Sequence, residues 1–187
     1  MTKRGPMRDI RFASASRDEL TIFGAERPGY NSEQVRHSST QEWIAFMKER
    51  GIKRVCCLLR EEQLAFYVDE DLLEAYRREF GAENVCWAPV KDYHLCEETM
   101  LKERILPFLQ ESQARKTPTV VHCSGGSGRT GHILAAWLVF GRGFGIEEAL
   151  AAVVEMRRNP KEAIDCGNAT GAQLNALLET CKRKGAT

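Results

Sequence analysis

The sequence predicts an α/β fold, a central and mostly parallel sheet flanked by helices on both faces. Three observations predict it. Four short apolar runs of strand length, at 20–23, 53–59, 85–88 and 119–122, are separated by longer segments with apolar residues at helical spacing. Strands that alternate with helices are joined by crossovers, which makes neighbouring strands parallel. The run 53–59 stays apolar instead of alternating, as a strand covered on both sides must.

Residues 1–19 are polar and basic with weak pattern, an irregular lead-in to a single domain over 20–184. The first strand, Leu20-Thr21-Ile22-Phe23, is closed by Gly24 and the turn signal Arg27-Pro28-Gly29. Ser39 or Thr40 caps a helix near 41–50, with Trp43, Ile44 and Met47 on one face and Gly51 as its stop. After the strand at 53–59, Asp69 starts a helix carrying Leu72, Leu73, Tyr76 and Phe80, with Gly81 behind it. Val85-Cys86-Trp87-Ala88 is the next strand, ended by Pro89. The helical pattern returns over 97–112 through Leu101, Ile105, Phe108 and Leu109, where Pro107 predicts a kink or an early stop. The strand 119–122 is followed by helical segments near 130–140, 146–158 and 171–183, divided by Gly141 to Gly145 and by Asn159-Pro160.

At 187 residues, 43% hydrophobic and 28% charged, the chain suits one globular domain. A net charge of +1 makes no global demand for a nucleic-acid partner. Lys3, Arg4, Arg8, Arg11 and Arg17 at the front, and Lys182, Arg183 and Lys184 at the end, read as solvated ends. No apolar run approaches the ~18 residues that span a bilayer, and the N-terminus lacks the apolar core of a secretory signal. The seven cysteines, at 56, 57, 86, 96, 123, 166 and 181, form no C-x-x-C pair and have no His at ligand spacing. A reduced, cytoplasmic setting without structural metal is expected.

The most informative stretch is Val120-Val121-His122-Cys123-Ser124-Gly125-Gly126-Ser127-Gly128-Arg129-Thr130-Gly131. Strand, curled glycine loop and helix N-terminus together build an anion site from backbone N–H groups. The segment 126–131 formally satisfies G-x-G-x-x-G, but a dinucleotide fold needs a further strand about 20 residues on that ends in an acid. The chain is helical from there to its end, which removes that reading. A Walker A loop fails too, because Arg129 stands in place of its Lys and Cys123 in place of its first Gly.

What remains is C-x-x-x-x-x-R-[ST]. A free thiol is mostly neutral at pH 7, and a helix N-terminus with converging amides turns it towards thiolate. Gly125, Gly126 and Gly128 let the backbone curl with its N–H groups inward, and Ser124 and Ser127 complete the cradle. Arg129 offers a planar fork for two phosphate oxygens, which Lys cannot. Thr130 can donate its hydroxyl to the Cys123 sulfur.

The segment 122–131 resembles the signature loop of the cysteine-based protein tyrosine phosphatase superfamily, and the short chain resembles its compact dual-specificity branch. The resemblance is carried by 119–140 and extends over about 20–180. The low-molecular-weight phosphatases differ, with their Cys near the N-terminus. The resemblance implies a phosphotyrosine phosphatase-like fold, in-line attack by Cys123 on phosphorus, a cysteinyl-phosphate intermediate, and hydrolysis by water with no metal or other cofactor. It also implies a general acid on a loop before the Cys. Asp92 lies 31 residues upstream of Cys123, after a strand and a Pro; its rival reading is a turn cap. Glu97 and Glu98 are backups that fit the first turn of the next helix better. His94 reads as a rim residue, and His122 as a structural partner of the loop backbone that tunes Cys123.

Arg157-Arg158-Asn159-Pro160, Ala163-Ile164 and Gln173 resemble the family segment whose Gln positions water. Thr170 and Gln173 also fit a capping box for the last helix, and both readings stay open. Asn168 is a weaker candidate. Cys96 and Cys166 flank the site segments and could form a reversible disulfide with Cys123 under oxidant. The loop carries no Lys, unlike the loops of phosphoinositide phosphatases of this superfamily, which favours a singly phosphorylated group. A phosphorylated protein, on tyrosine and in addition serine or threonine, is the expected substrate, with no nucleic-acid or membrane partner. The alternative is a small molecule, a phosphoinositide or an RNA 5′ end on the same loop. A catalytically silent phospho-binding module is disfavoured, because Cys123, Arg129 and Asp92 are all present.

Overall fold

Five strands, β1 (Ala13–Ser14), β2 (Ile22–Ala25), β3 (Arg54–Cys57), β4 (Val85–Trp87) and β5 (Thr119–His122), form one sheet in the order β1-β2-β5-β3-β4. β2, β5, β3 and β4 run parallel, and β1 pairs antiparallel with β2. The structure is a computed structural model that describes residues 9–183. Lys3, Arg4, Arg8 and Lys184 of the basic ends therefore lie outside the described residues.

Alternate residues of each strand enter opposite cores, which is what parallel strands with crossover helices require. Val55, Cys57 and Val120 pack against α1 (His37–Glu49) and α3 (Leu72–Phe80). Cys56 and Val121 pack on the other face. That face is covered by α5 (Leu106–Ala114), α6 (Gly128–Arg142), α7 (Ile146–Glu155) and α9 (Gly171–Glu179). β5 is the middle strand, so its carboxyl end opens at the centre of one edge of the sheet. Short helices complete the chain: α2 (Glu61–Leu64), α4 (Glu98–Met100) and α8 (Glu162–Asp165). Among the described residues no helix is long and apolar enough to cross a membrane.

Several local expectations are corrected by through-space contacts. The lead-in is not irregular throughout, because Ala13 and Ser14 add the edge strand β1. Glu19 is 3% exposed and accepts bonds from Trp137 Nε1 (3.1 Å) and Arg142 Nε (2.8 Å). Burial pushes the Glu19 carboxyl up, but the bonds from Arg142, Thr21 and Trp137 outweigh burial and hold it below the usual carboxylate range. α1 starts at His37, ahead of Ser39 and Thr40, because the Asp69 carboxylate accepts the His37 N–H at 3.1 Å. Asp69 thus caps the earlier helix, and Asp71 is the cap of α3, accepting from Glu74 N at 3.0 Å. Pro107 neither stops nor ends its helix: a π-helical stretch, Leu101–Ile105, joins α4 to α5 just before it. The wider turn accommodates a residue that has no N–H to donate.

Candidate active site

The loop 123–127 joins the carboxyl end of β5 to α6, and Cys123 at its head is 3% exposed. Thr130 Oγ1 donates to Cys123 Sγ at 3.1 Å. The loop is held from outside by two buried arginines. Arg27 N–H donates to the Ser124 carbonyl at 2.9 Å and its Nε to Ser124 Oγ at 3.1 Å. Its two remaining nitrogens bond the carbonyls of Pro28, Gly29, Tyr30 and Ser32, so all five guanidinium protons are used. Arg158 donates to the Gly126 carbonyl from Nη1, and from Nη2 to the carbonyls of Arg11, Ala13 and Gly24 at 3.0, 3.1 and 2.8 Å. Burial pulls Arg158 down to about 10, so it stays charged at neutral pH. In a trans peptide the C=O and the next N–H point oppositely. With the Ser124 and Gly126 carbonyls turned out, the N–H groups of Gly125 and Ser127 turn in. Gly126 has φ +66° and lies so close to β2 that a Cβ would sit 2.5 Å from the Ala25 carbonyl. No other residue fits there.

Arg129 lies in the first turn of α6, 2% exposed. Its Nη1 donates to Gln63 Oε1 at 2.8 Å and to the Val90 carbonyl at 3.1 Å. Its Nη2 stands 3.0 Å from Asp92 Oδ1, an ion pair without hydrogen-bond geometry. Nε and Nη2 are left without a hydrogen-bond partner among the described residues, a fork fitted to two oxygens of an anion. Asp92 also accepts from Gln63 Nε2 at 3.2 Å, so Gln63 of α2 braces the arginine and the acid together. The cleft they share is about 220 Å³ and is lined by Tyr30, Tyr93, Asp92, Cys123, Arg129 and Glu162, with Arg11 at its edge.

Two buried histidines fasten this site to the core. His122 donates from Nδ1 to the Cys123 carbonyl (3.1 Å), leaving Nε2 to accept from the Tyr76 hydroxyl (3.1 Å). His132 accepts the Cys96 N–H at Nε2 (3.0 Å) and donates from Nδ1 to the Gly128 carbonyl (3.1 Å), tying the chain after the Asp92 loop to α6. Burial lowers both to about 4, so both are neutral at physiological pH. The unfolded chain takes up protons near pH ~6.5 that the folded chain refuses until about pH 4, so stability falls as pH drops through that window. The expected loss is about 2 kcal/mol per histidine between pH 7 and pH 5. Urea unfolding at the two pH values measures it, and an unchanged midpoint would contradict the neutral, buried assignment.

A family model described as "Polymorphic toxin system, DSP-PTPase phosphatase" matches residues 30–143, which include Asp92, Cys123 and Arg129. The chain belongs to this family of cysteine-based phosphatases. The phosphatase fold agrees with solved structures. Kinase associated phosphatase, KAP, with its catalytic cysteine replaced by serine, superposes with TM-score 0.66 at 21% identity over 85% of this chain and 84% of that one. PTPMT1 in complex with PI(5)P gives 0.65 at 14% over 91% and 96%. TpbA of P. aeruginosa in complex with pTyr gives 0.58 at 17% over 92% and 90%. A search of curated proteins gives no match.

Within the phosphatase, the residues expected from the loop motif and Asp92 come together, and the downstream candidates do not. Gln173 is exposed, and its carboxamide accepts the Thr170 N–H at 2.8 Å while Thr170 Oγ1 accepts the Gln173 N–H at 3.2 Å. It caps α9 and is not among the cleft-lining residues. Asn168 donates to the Tyr93 carbonyl at 3.0 Å and so tethers the loop that carries Asp92. His94 closes that loop by donating to the Asp92 carbonyl at 2.8 Å. Glu97 and Glu98 lie at the start of α4, outside the cleft. Cys166 is exposed, and burial pushes the Cys96 thiol up to about 12. Among the described residues no group of His, Cys, Asp or Glu could hold a metal ion. The sequence reading missed Arg11, Arg27, Gln63, His132, Arg158 as the loop's anchor, and Glu162. Only Arg158 carried a signal, its place beside Asn159-Pro160.

Proposed function

We propose that this phosphatase hydrolyses phosphomonoesters through Cys123, with phosphotyrosine as its main substrate group and phosphoserine or phosphothreonine as secondary ones. The observation that carries the reading is one cleft in which the Thr130-bonded sulfur, the inward N–H side of the loop, the open fork of Arg129 and the Asp92 carboxyl converge. The Cys123 thiolate attacks phosphorus in line, the S–P bond forms, and the P–O bond to the leaving group breaks. Protonated Asp92 gives its proton to the departing oxygen. Arg129, Ser124, Gly125, Gly126, Ser127 and Gly128 hold the three equatorial oxygens, whose charge grows in the transition state. Water then cleaves the S–P bond, and Thr130 stabilises the returning thiolate. No step needs a metal.

Tyr30 and Tyr93, 38% and 51% exposed, stand on the cleft as apolar walls for an aryl phosphate. A loop without Lys supports a singly phosphorylated group, and TpbA, of like fold, was solved with pTyr. A second reading rests on Arg11, which brings to the cleft edge a cation the loop lacks. That would suit a substrate with a further phosphate, and PTPMT1 was solved with PI(5)P. A thiol mechanism suits the reduced cytoplasm.

A substrate panel decides between them: phosphotyrosine and phosphoserine peptides, inositol phosphates, nucleotides and 5′-triphosphate RNA. The phosphotyrosine peptide is expected to lead in kcat/KM by at least about 10-fold, a discrimination of ~1.4 kcal/mol. An inositol phosphate or RNA in first place, with that lead removed by Arg11→Ala, would replace the first reading by the second.

A further inference from the structure

α8 is four residues long and has no counterpart among the expected elements, yet it carries Glu162 into the cleft. The Glu162 side chain lies directly over Gly128, at the start of α6, so closely that any Cβ at residue 128 would collide with its carboxylate. Among the described residues no hydrogen bond or ion pair takes up that carboxylate. The groups that face it are Asp92 of the acid loop, Arg129 of α6, Arg11 of the N-terminal segment and Asp165 of its own helix. Burial first, and the Asp92 charge second, push the Glu162 carboxyl up. The two polar side chains with which the sequence supplies a water-positioning group are both committed elsewhere: Gln173 to the cap of α9 and Asn168 to the Tyr93 carbonyl. An unpaired carboxylate in a phosphate cleft repels substrate, so its presence calls for a use.

We infer that Glu162 serves the second half-reaction, in which it orients the water that attacks the cysteinyl phosphate and accepts its proton. The inference rests on the reading of Cys123 as nucleophile. In this step the water oxygen bonds to phosphorus, the S–P bond breaks, the electron pair returns to sulfur as thiolate, and one water proton passes to the Glu162 carboxylate. Orthophosphate leaves, and Glu162 gives the proton back to solvent. The labour is thereby divided between two carboxyl groups: Asp92 protonates the first leaving group, and Glu162 deprotonates the second nucleophile. Ionised Glu162 is the working form, so intermediate breakdown slows as pH falls through its raised pKa, while formation of the intermediate does not share that limb.

The test is pre-steady-state kinetics of wild type, Glu162→Gln and Cys123→Ser with an aryl phosphate, joined to acid quench and mass measurement of phosphocysteine. In Glu162→Gln the burst is expected at full amplitude, which also shows that the sites are folded. Steady-state turnover then falls by about 10–100-fold, phosphocysteine accumulates, and the acid limb of its breakdown disappears. A wild-type breakdown rate in Glu162→Gln overturns the inference. So does lower turnover without accumulated phosphocysteine, or a gain in kcat/KM with tighter phosphate inhibition, since these would leave Glu162 a merely structural or repulsive group. Failure of the underlying reading looks different: no phosphocysteine in any protein, with Cys123→Ser still active, overturns both.

Discussion

Cys123→Ser is expected to lower turnover of an aryl phosphate by at least about 10⁴-fold while phosphate continues to bind. A serine hydroxyl is far less acidic than a thiol, so neither α6 nor the Thr130 hydroxyl, 3.1 Å from the sulfur, can make an alkoxide of it at neutral pH. The anion site itself does not depend on the sulfur. Arg27 and Arg158 hold the loop by the carbonyls of Ser124 and Gly126, and Arg129 keeps its open fork. Hydrolysis assays and phosphate titration by calorimetry read the two properties separately. Undiminished turnover would sink the mechanism, and lost binding would show that the sulfur helps to shape the loop.

Asp92→Ala is expected to cost about 10²–10⁴-fold on phosphoserine or alkyl phosphates, whose leaving oxygens need a proton, and far less on an aryl phosphate that leaves as a stable phenolate. A second consequence comes from the geometry. Asp92 Oδ1 sits 3.0 Å from Arg129 Nη2, so its charge stands beside the fork. Removing the carboxylate removes a negative charge from beside the open fork, so inorganic phosphate should inhibit the variant more tightly than wild type. The slope of kcat/KM against leaving-group acidity and the phosphate inhibition constant are the measurements. Equal losses on good and poor leaving groups would move the acid elsewhere.

The candidate site was legible wherever its chemistry is contiguous. Cys123, Arg129, Thr130 and the glycines belong to one strand–loop–helix unit, whose conformation is set by neighbours in the chain. Asp92 was legible by a weaker signal, a carboxyl just after a strand and a Pro. Gln63, Arg27, His132 and Glu162 gave no signal, because each acts through a contact across 36 or more positions in sequence or through a short helix without periodicity. Arg27 read as part of a turn and Arg158 as part of a family-like segment, and neither reading foretold that both are less than 5% exposed. Gln173 was legible in part: the sequence left a water-positioning role and a helix cap open, and its carboxamide is engaged in the cap.

By itself the sequence determined the α/β class, the parallel strands and the phosphate loop, because periodicity, glycine placement and a helix N-terminus are properties of adjacent residues. The tertiary structure decided how the loop is braced, which carboxyl groups share the cleft, and that a strand from the lead-in completes the sheet. Burial and through-space charge decide those matters, and both arise only when distant segments pack together. The loop's chemistry was written in one short stretch, and the control of that chemistry was spread over the fold.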